Sequence, residues 1–134
     1  MTDFVALRFP RDSRYYAVAR LVVGGMAAPL QMSYDALDDL QLAISSLLDH
    51  EELTLTAADG DDVELRLEVS EHELVASLGN FALGGLERAF QEGSGPGSQL
   101  GLKRLLDTIV DGVSVDADGT GERVSLTKRV KALA

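Results

Sequence analysis

The chain has 134 residues, 46% of them apolar, with 12 basic against 22 acidic side chains for a formal net charge of −10, and no cysteine. That length supplies one packed core. The lack of thiols excludes a disulfide framework, a thiolate metal site and a cysteine nucleophile, and the acidic balance excludes a nucleic-acid partner, which needs lysine and arginine gathered on one face. No apolar run nears the ~20 residues that cross a bilayer, and the N-terminus lacks a basic-then-apolar leader. A cytoplasmic protein with a single domain over residues 1–134 and no membrane partner is therefore expected.

Residues 4–9, FVALRF, alternate as a half-buried strand does, and Pro10 closes the run because it cannot donate to a ladder. Asp12 and Ser13 are candidate N-caps for RYYAVARLVVGGMAAPL, whose apolar residues fall at helical spacing while Gly24, Gly25 and Pro29 weaken the second half. Ser33 or Asp35 caps the next helix, YDALDDLQLAISSLLDH, in which Leu37, Leu40, Ile44, Leu47 and Leu48 form one apolar stripe. Leu53–Thr56 fits either a short strand or the last turn of that helix, since four residues cannot separate the two periods. Alternating runs at Val63–Val69 and Glu73–Leu78 make a hairpin, followed by a short helix in FALGGLERAFQ and a loop in EGSGPGS. Leu100–Val110 is helical again, and VSVDADGTGERVSLTKRV reads as two strands about the turn 118–121. There is no internal repeat. Strands grouped beside helices give an α/β fold: a two-layer sandwich whose mixed, mostly antiparallel sheet is covered on one face by helices.

Three segments carry a resemblance along nearly the whole chain: the helix YDALDDLQLAISSLL, the strand LVASLG, and QLGLKRLLDTIVDGVSV, closed by GERVSLTKRV. In order and spacing they resemble the GHKL (Bergerat-fold, histidine kinase-like) ATPases, and among them the small anti-sigma factor serine kinases. The resemblance implies a Bergerat-like sandwich, a homodimer, and a sigma factor or its antagonist as protein partner. In that family the helix carries a Glu that positions water or substrate and an Asn that holds magnesium. The strand ends in Asp-x-Gly, whose Asp accepts from the adenine amino group, and a Gly-x-Gly-Leu run opens a later helix.

Placed on those motifs, this chain has Ser46 at the Glu position and His50 at the Asn position, with Asp49 one residue earlier. Ser77 replaces the Asp while Gly79 remains, and Gln99 replaces the first glycine while Gly101 and Leu102 persist. A serine hydroxyl is a poor base at neutral pH and imidazole a poor partner for magnesium, which prefers oxygen. A neutral hydroxyl also binds the adenine amino group less strongly than a carboxylate. Asp49 supplies oxygen only after a one-residue shift, which turns a side chain by about 100° around the helix. Taken as a vestigial nucleotide site, these residues imply a catalytically silent relative that binds no ATP or magnesium and acts by occluding a protein surface. The alternative is an active ATP-dependent serine kinase in which Asp49, Asp59 or others compensate. A third possibility is an unrelated two-layer domain with a small molecule in the equivalent pocket.

Other residue groups give weaker signals. Ser45 and Ser46 lack a Gly-x-Ser-x-Gly context for nucleophilic catalysis, and a helical hydroxyl usually bonds the preceding turn. His50 and His72 do not make a two-histidine metal site, and Asp59, Asp61 and Asp62 lack the glycine and closing Glu of a calcium loop. Asp35, Asp38 and Asp39 read as a solvated helix face or as a surface for a basic partner. Val22, Val23 and Met26 beside Gly24 and Gly25 read as core or as a subunit interface, because small residues let two backbones approach closely.

Overall fold

The computed structural model describes residues 3–50, 53–56, 62–91 and 101–130. Five strands and four helices follow in the order β1 (Asp3–Pro10), α1 (Tyr16–Ala27), α2 (Tyr34–Leu48), β2 (Asp62–Val69), β3 (Glu73–Phe81), α3 (Gly85–Gln91), α4 (Leu102–Ile109), β4 (Gly112–Ala117) and β5 (Glu122–Arg129). The strands form one sheet in the order β1-β2-β3-β5-β4, with every neighbouring pair antiparallel. The expected two-layer α/β sandwich is present. Its sheet is wholly antiparallel rather than mixed, because β5 returns between β3 and β4.

Period-two alternation sorts the strands. Val63, Leu65, Leu67 and Val69 of β2, Leu74, Ala76 and Leu78 of β3, and Val124 and Leu126 of β5 are buried under the helices. The intervening residues, among them Glu64, Arg66, Ser77, Arg123 and Ser125, stand on the uncovered face, where the register sets Ser77 between Arg66 and Ser125. The predicted stripe of α2 is the other half of the core: Leu40, Ala43, Ile44, Leu47 and Leu48 are buried and Leu37 packs against them.

The local signals that start and stop these elements are visible in the structure. The Ser33 hydroxyl accepts from Ala36 N at 3.1 Å and caps α2. Asp12 caps a short 3₁₀ turn at Ser13–Tyr15, accepting from Arg14 N at 2.9 Å, and α1 begins only after it. In the β4–β5 turn the Asp118 carboxylate accepts from Thr120 N at 2.9 Å, Gly121 N at 3.0 Å and the Thr120 hydroxyl at 2.7 Å. These bonds hold the Asp118 carboxyl below its ordinary pKa, the Thr120 hydroxyl having the largest effect.

The ambiguous Leu53–Thr56 segment is strand-like. Leu55 bridges Phe81, Thr56 N donates to Asn80 O at 3.0 Å, and Ala82 N donates to Thr54 O at 2.7 Å. Its partner is the end of β3, which runs three residues beyond the predicted Leu78. No helix among the described residues is long and apolar enough to cross a membrane.

Candidate functional site

The motif positions fall in two places separated by the sheet. Ser46, Asp49 and His50 lie at the C-terminal end of α2, in the helical layer: Ser46 is half-buried, Asp49 is the exposed C-cap, and His50 follows it. Gly101 and Leu102 open α4 in the same layer, with Gly101 at the N-cap and the Leu102 side chain packed into the core. Ser77 and Gly79 point to the opposite, uncovered face. Gln99 lies outside the described residues. The structure therefore groups Ser46, Asp49 and His50, and does not bring Ser77 or Gly79 to them.

What surrounds Ser77 and Gly79 is a guanidinium. Arg123, on β5, donates from Nη1 to Ser77 O at 3.2 Å, Ser77 Oγ at 3.4 Å and Glu64 O at 3.3 Å, and from Nη2 to the Glu64 carboxylate at 2.9 Å. A Cβ on Gly79 would sit 3.1 Å from Arg123 Cζ, so the missing side chain is what lets the guanidinium lie against the strand. Burial and the charge of Arg66 pull the Arg123 pKa down, opposed by Glu64 and Asp118. Glu64 also pairs with Arg66, so one carboxylate serves two cations.

A second arginine closes the end of α2. Arg11, just past β1, donates from Nε to Leu48 O at 2.9 Å, from Nη2 to His50 O at 2.7 Å, and from Nη1 to Leu53 O. Its Cζ lies 6.0 Å from the centroid of the Phe81 ring. The last carbonyls of a helix are unsatisfied acceptors at the negative end of its dipole, and a planar cation with several donors answers both needs. Tyr16 adds its hydroxyl, which donates to Leu48 O at 3.4 Å, and its pKa is raised by burial and by Asp49.

Magnesium-nucleotide chemistry does not fit this corner. Of Ser46, Asp49 and His50 only Asp49 carries a carboxylate, and magnesium takes near-octahedral oxygen donors. The adjoining carbonyls of Leu48 and His50 are already held by the Arg11 cation, whose charge opposes a second cation beside it. Among the described residues no group of three or more His, Cys, Asp and Glu side chains is placed to hold a metal.

Two of the clefts in the structure are lined by described residues. A cleft of about 470 Å³ lies between the start of α2 and the end of β5, lined by Ser33, Asp111, Lys128 and Arg129 among others. A narrow crevice runs between α1 and α2 past Tyr16, Arg20 and Gln41. Neither includes a motif position. Lys128, in the closing VSLTK run, spans the helical layer: its ammonium donates to Ile109 O at 2.7 Å and lies 3.6 Å from the Asp39 carboxylate.

Sequence reasoning missed Arg11 and Arg123. Arg11 sits beside Pro10 in a polar connection and Arg123 in an alternating strand, and neither context signals a buried-side partner. The only available hint was Gly79, a glycine inside a strand, which marks close approach by another group.

Comparison with known proteins gives two relatives, both serine-protein kinases RsbW of Bacillus licheniformis. One is 31% identical over 142 aligned positions, spanning 94% of this chain and 85% of the relative. The other is 30% identical over 143 positions with the same shares. No family model matches the chain.

Proposed function

The chain belongs to the family of the RsbW serine-protein kinases, anti-sigma factor kinases of the GHKL group, and on that premise we propose that it is an anti-sigma factor-like regulator that works by protein binding without nucleotide. Its partner on this reading is a sigma factor or an antagonist of one, met in the cytoplasm of a bacterial cell by a homodimer. The mechanism is occlusion: the sheet and helical layer present a rigid surface that competes for the partner, with no phosphoryl transfer. No cofactor takes part.

The observation that carries this reading is Ser77. It stands where the family's adenine-binding Asp is expected, yet its neighbours are the Arg123 guanidinium and Glu64 on the uncovered face, across the sheet from Ser46 and His50. Arg11 at the end of α2 supports it, because the carbonyls beside the magnesium position are spent on a fixed cation.

Titration calorimetry with ATP and magnesium tests the nucleotide half. Absence of heat up to millimolar ATP is expected, and binding in the micromolar range with phosphorylation of a partner would establish the active serine kinase instead. Pairwise binding to purified sigma factors and antagonists from the source genome tests the other half, with one saturable pair expected and no pair refuting it.

A further inference from the structure

We propose that the cleft between the start of α2 and the end of β5 binds a free aliphatic α-amino acid, a zwitterion held by its carboxylate and its ammonium at once. The cleft measures about 470 Å³, within the range of ~300–1,000 Å³ in which small-molecule sites fall. It stands apart from Ser46, Asp49 and His50, which lie at the other end of α2, about 20 Å away at the rise of an α-helix.

The side chains lining the cleft carry more donors than the fold uses. Lys128 has three N–H groups, and among the described residues its partners are two, Ile109 O at 2.7 Å and the Asp39 carboxylate at 3.6 Å. Its side chain is 13% exposed, so these contacts fix the ammonium in place and little order is lost when a ligand meets it. Arg129 is the more open cation: its Nε lies 3.6 Å from Glu73 Oε2, and among the described residues no hydrogen bond engages its Nη groups. The Ser33 hydroxyl accepts from Ala36 N and keeps its own proton to donate. Donors on two cations and a hydroxyl select an oxyanion, and a planar guanidinium fork matches a carboxylate.

A simple anion answers only half of the cleft. Asp111 also lines it, with Oδ2 fixed 2.7 Å from Arg129 N, and among the described residues no hydrogen bond engages its Oδ1. An anion without a positive end would set its charge beside that carboxylate in a chain of net charge −10. A zwitterion instead offers Asp111 an ammonium and is neutral as a whole. The rest of the lining is apolar, with Met32, Ala36 and Val130, and Met32 packs against the core. That surface takes an aliphatic side chain out of water.

Titration of the full chain with L-leucine, followed by amide NMR, tests the site. Saturable shifts at residues 31–36 and 128–130 are expected, with a dissociation constant below about 1 mM. L-leucinamide, which lacks the carboxylate, and 4-methylpentanoate, which lacks the ammonium, should each bind at least about tenfold more weakly. Asp111→Asn keeps an oxygen for Arg129 N but removes the charge. It should weaken leucine and strengthen 4-methylpentanoate, a crossing that loss of structure cannot produce, while Arg129→Gln should weaken both. No saturation by about 10 mM leucine would overturn the site. Equal binding of 4-methylpentanoate or of inorganic phosphate would make the cleft a general anion site and overturn the zwitterion. Should Asp111→Asn fail to fold, the comparison of leucine with its two analogues on the parent chain decides alone.

Discussion

The Arg123 guanidinium lies against Gly79 across two neighbouring strands, with its Cζ 3.1 Å from where a Gly79 Cβ would stand. Gly79 thus has a structural reason within the chain: it admits a cation which ties β2, β3 and β5 together through Glu64 and Ser77.

That relationship predicts a measurable coupling. Gly79→Ala should destabilise by about 1–3 kcal/mol through overpacking against the guanidinium. In an Arg123→Ala background the same substitution should cost less than about 0.5 kcal/mol, since the obstruction is gone. Urea denaturation of the four proteins in the cycle checks this, and additive effects would mean that Gly79 answers to something other than Arg123.

Arg11 is expected to contribute more than a surface arginine. Replacing it with Met leaves the carbonyls of Leu48, His50 and Leu53 without their donor, which should cost about 2–4 kcal/mol on the scale of charged hydrogen bonds. Arg11→Lys should recover less than half, because an ammonium cannot fork across three acceptors. Thermal unfolding of the two variants side by side reads the difference.

Gly121 should tolerate no side chain. An added Cβ would lie 2.8 Å from Thr56 Cγ2 and 2.9 Å from Phe81 O, and the second contact is backbone that has no freedom to retreat. Gly121→Ala is expected to destabilise by about 1–3 kcal/mol. Pairing it with Thr56→Ser should relieve only part of the loss, because the Phe81 carbonyl remains, and equilibrium unfolding measures both.

The Asp118 turn gives a pH signature. Its carboxyl titrates lower in the folded chain than in the unfolded one, so its contribution is full above the ordinary carboxylate value near 4 and fades as pH falls through the lower folded value. Asp118→Ala should therefore melt below the parent protein at pH 7. The gap should narrow steadily below pH ~4. A gap independent of pH would show that the charged form has no special role in the turn.

Much of the architecture is legible along the chain because it depends on short-range periodicity. The α2 stripe of Leu40, Ile44, Leu47 and Leu48 and the alternation of Val63–Val69 each commit one side of an element to the core without reference to the rest of the fold. The family pattern is legible for the same reason, since its segments keep their order and spacing.

The sequence by itself determined the elements and their apolar sides. Tertiary structure alone decided where Ser77 points and where the two arginines go. In β3 both alternating sets are compatible with burial, Leu74, Ala76 and Leu78 on one side and Val75, Ser77 and Gly79 on the other, so local pattern does not choose which set the helices cover. Packing α2 against the leucine set settled it, sending Ser77 and Gly79 to Arg123. Arg11 reaches carbonyls some forty residues away in sequence, with |i−j| of 37 to 42. No periodicity encodes such a partner, because the acceptors exist only once the helix end and the chain after β1 have come together.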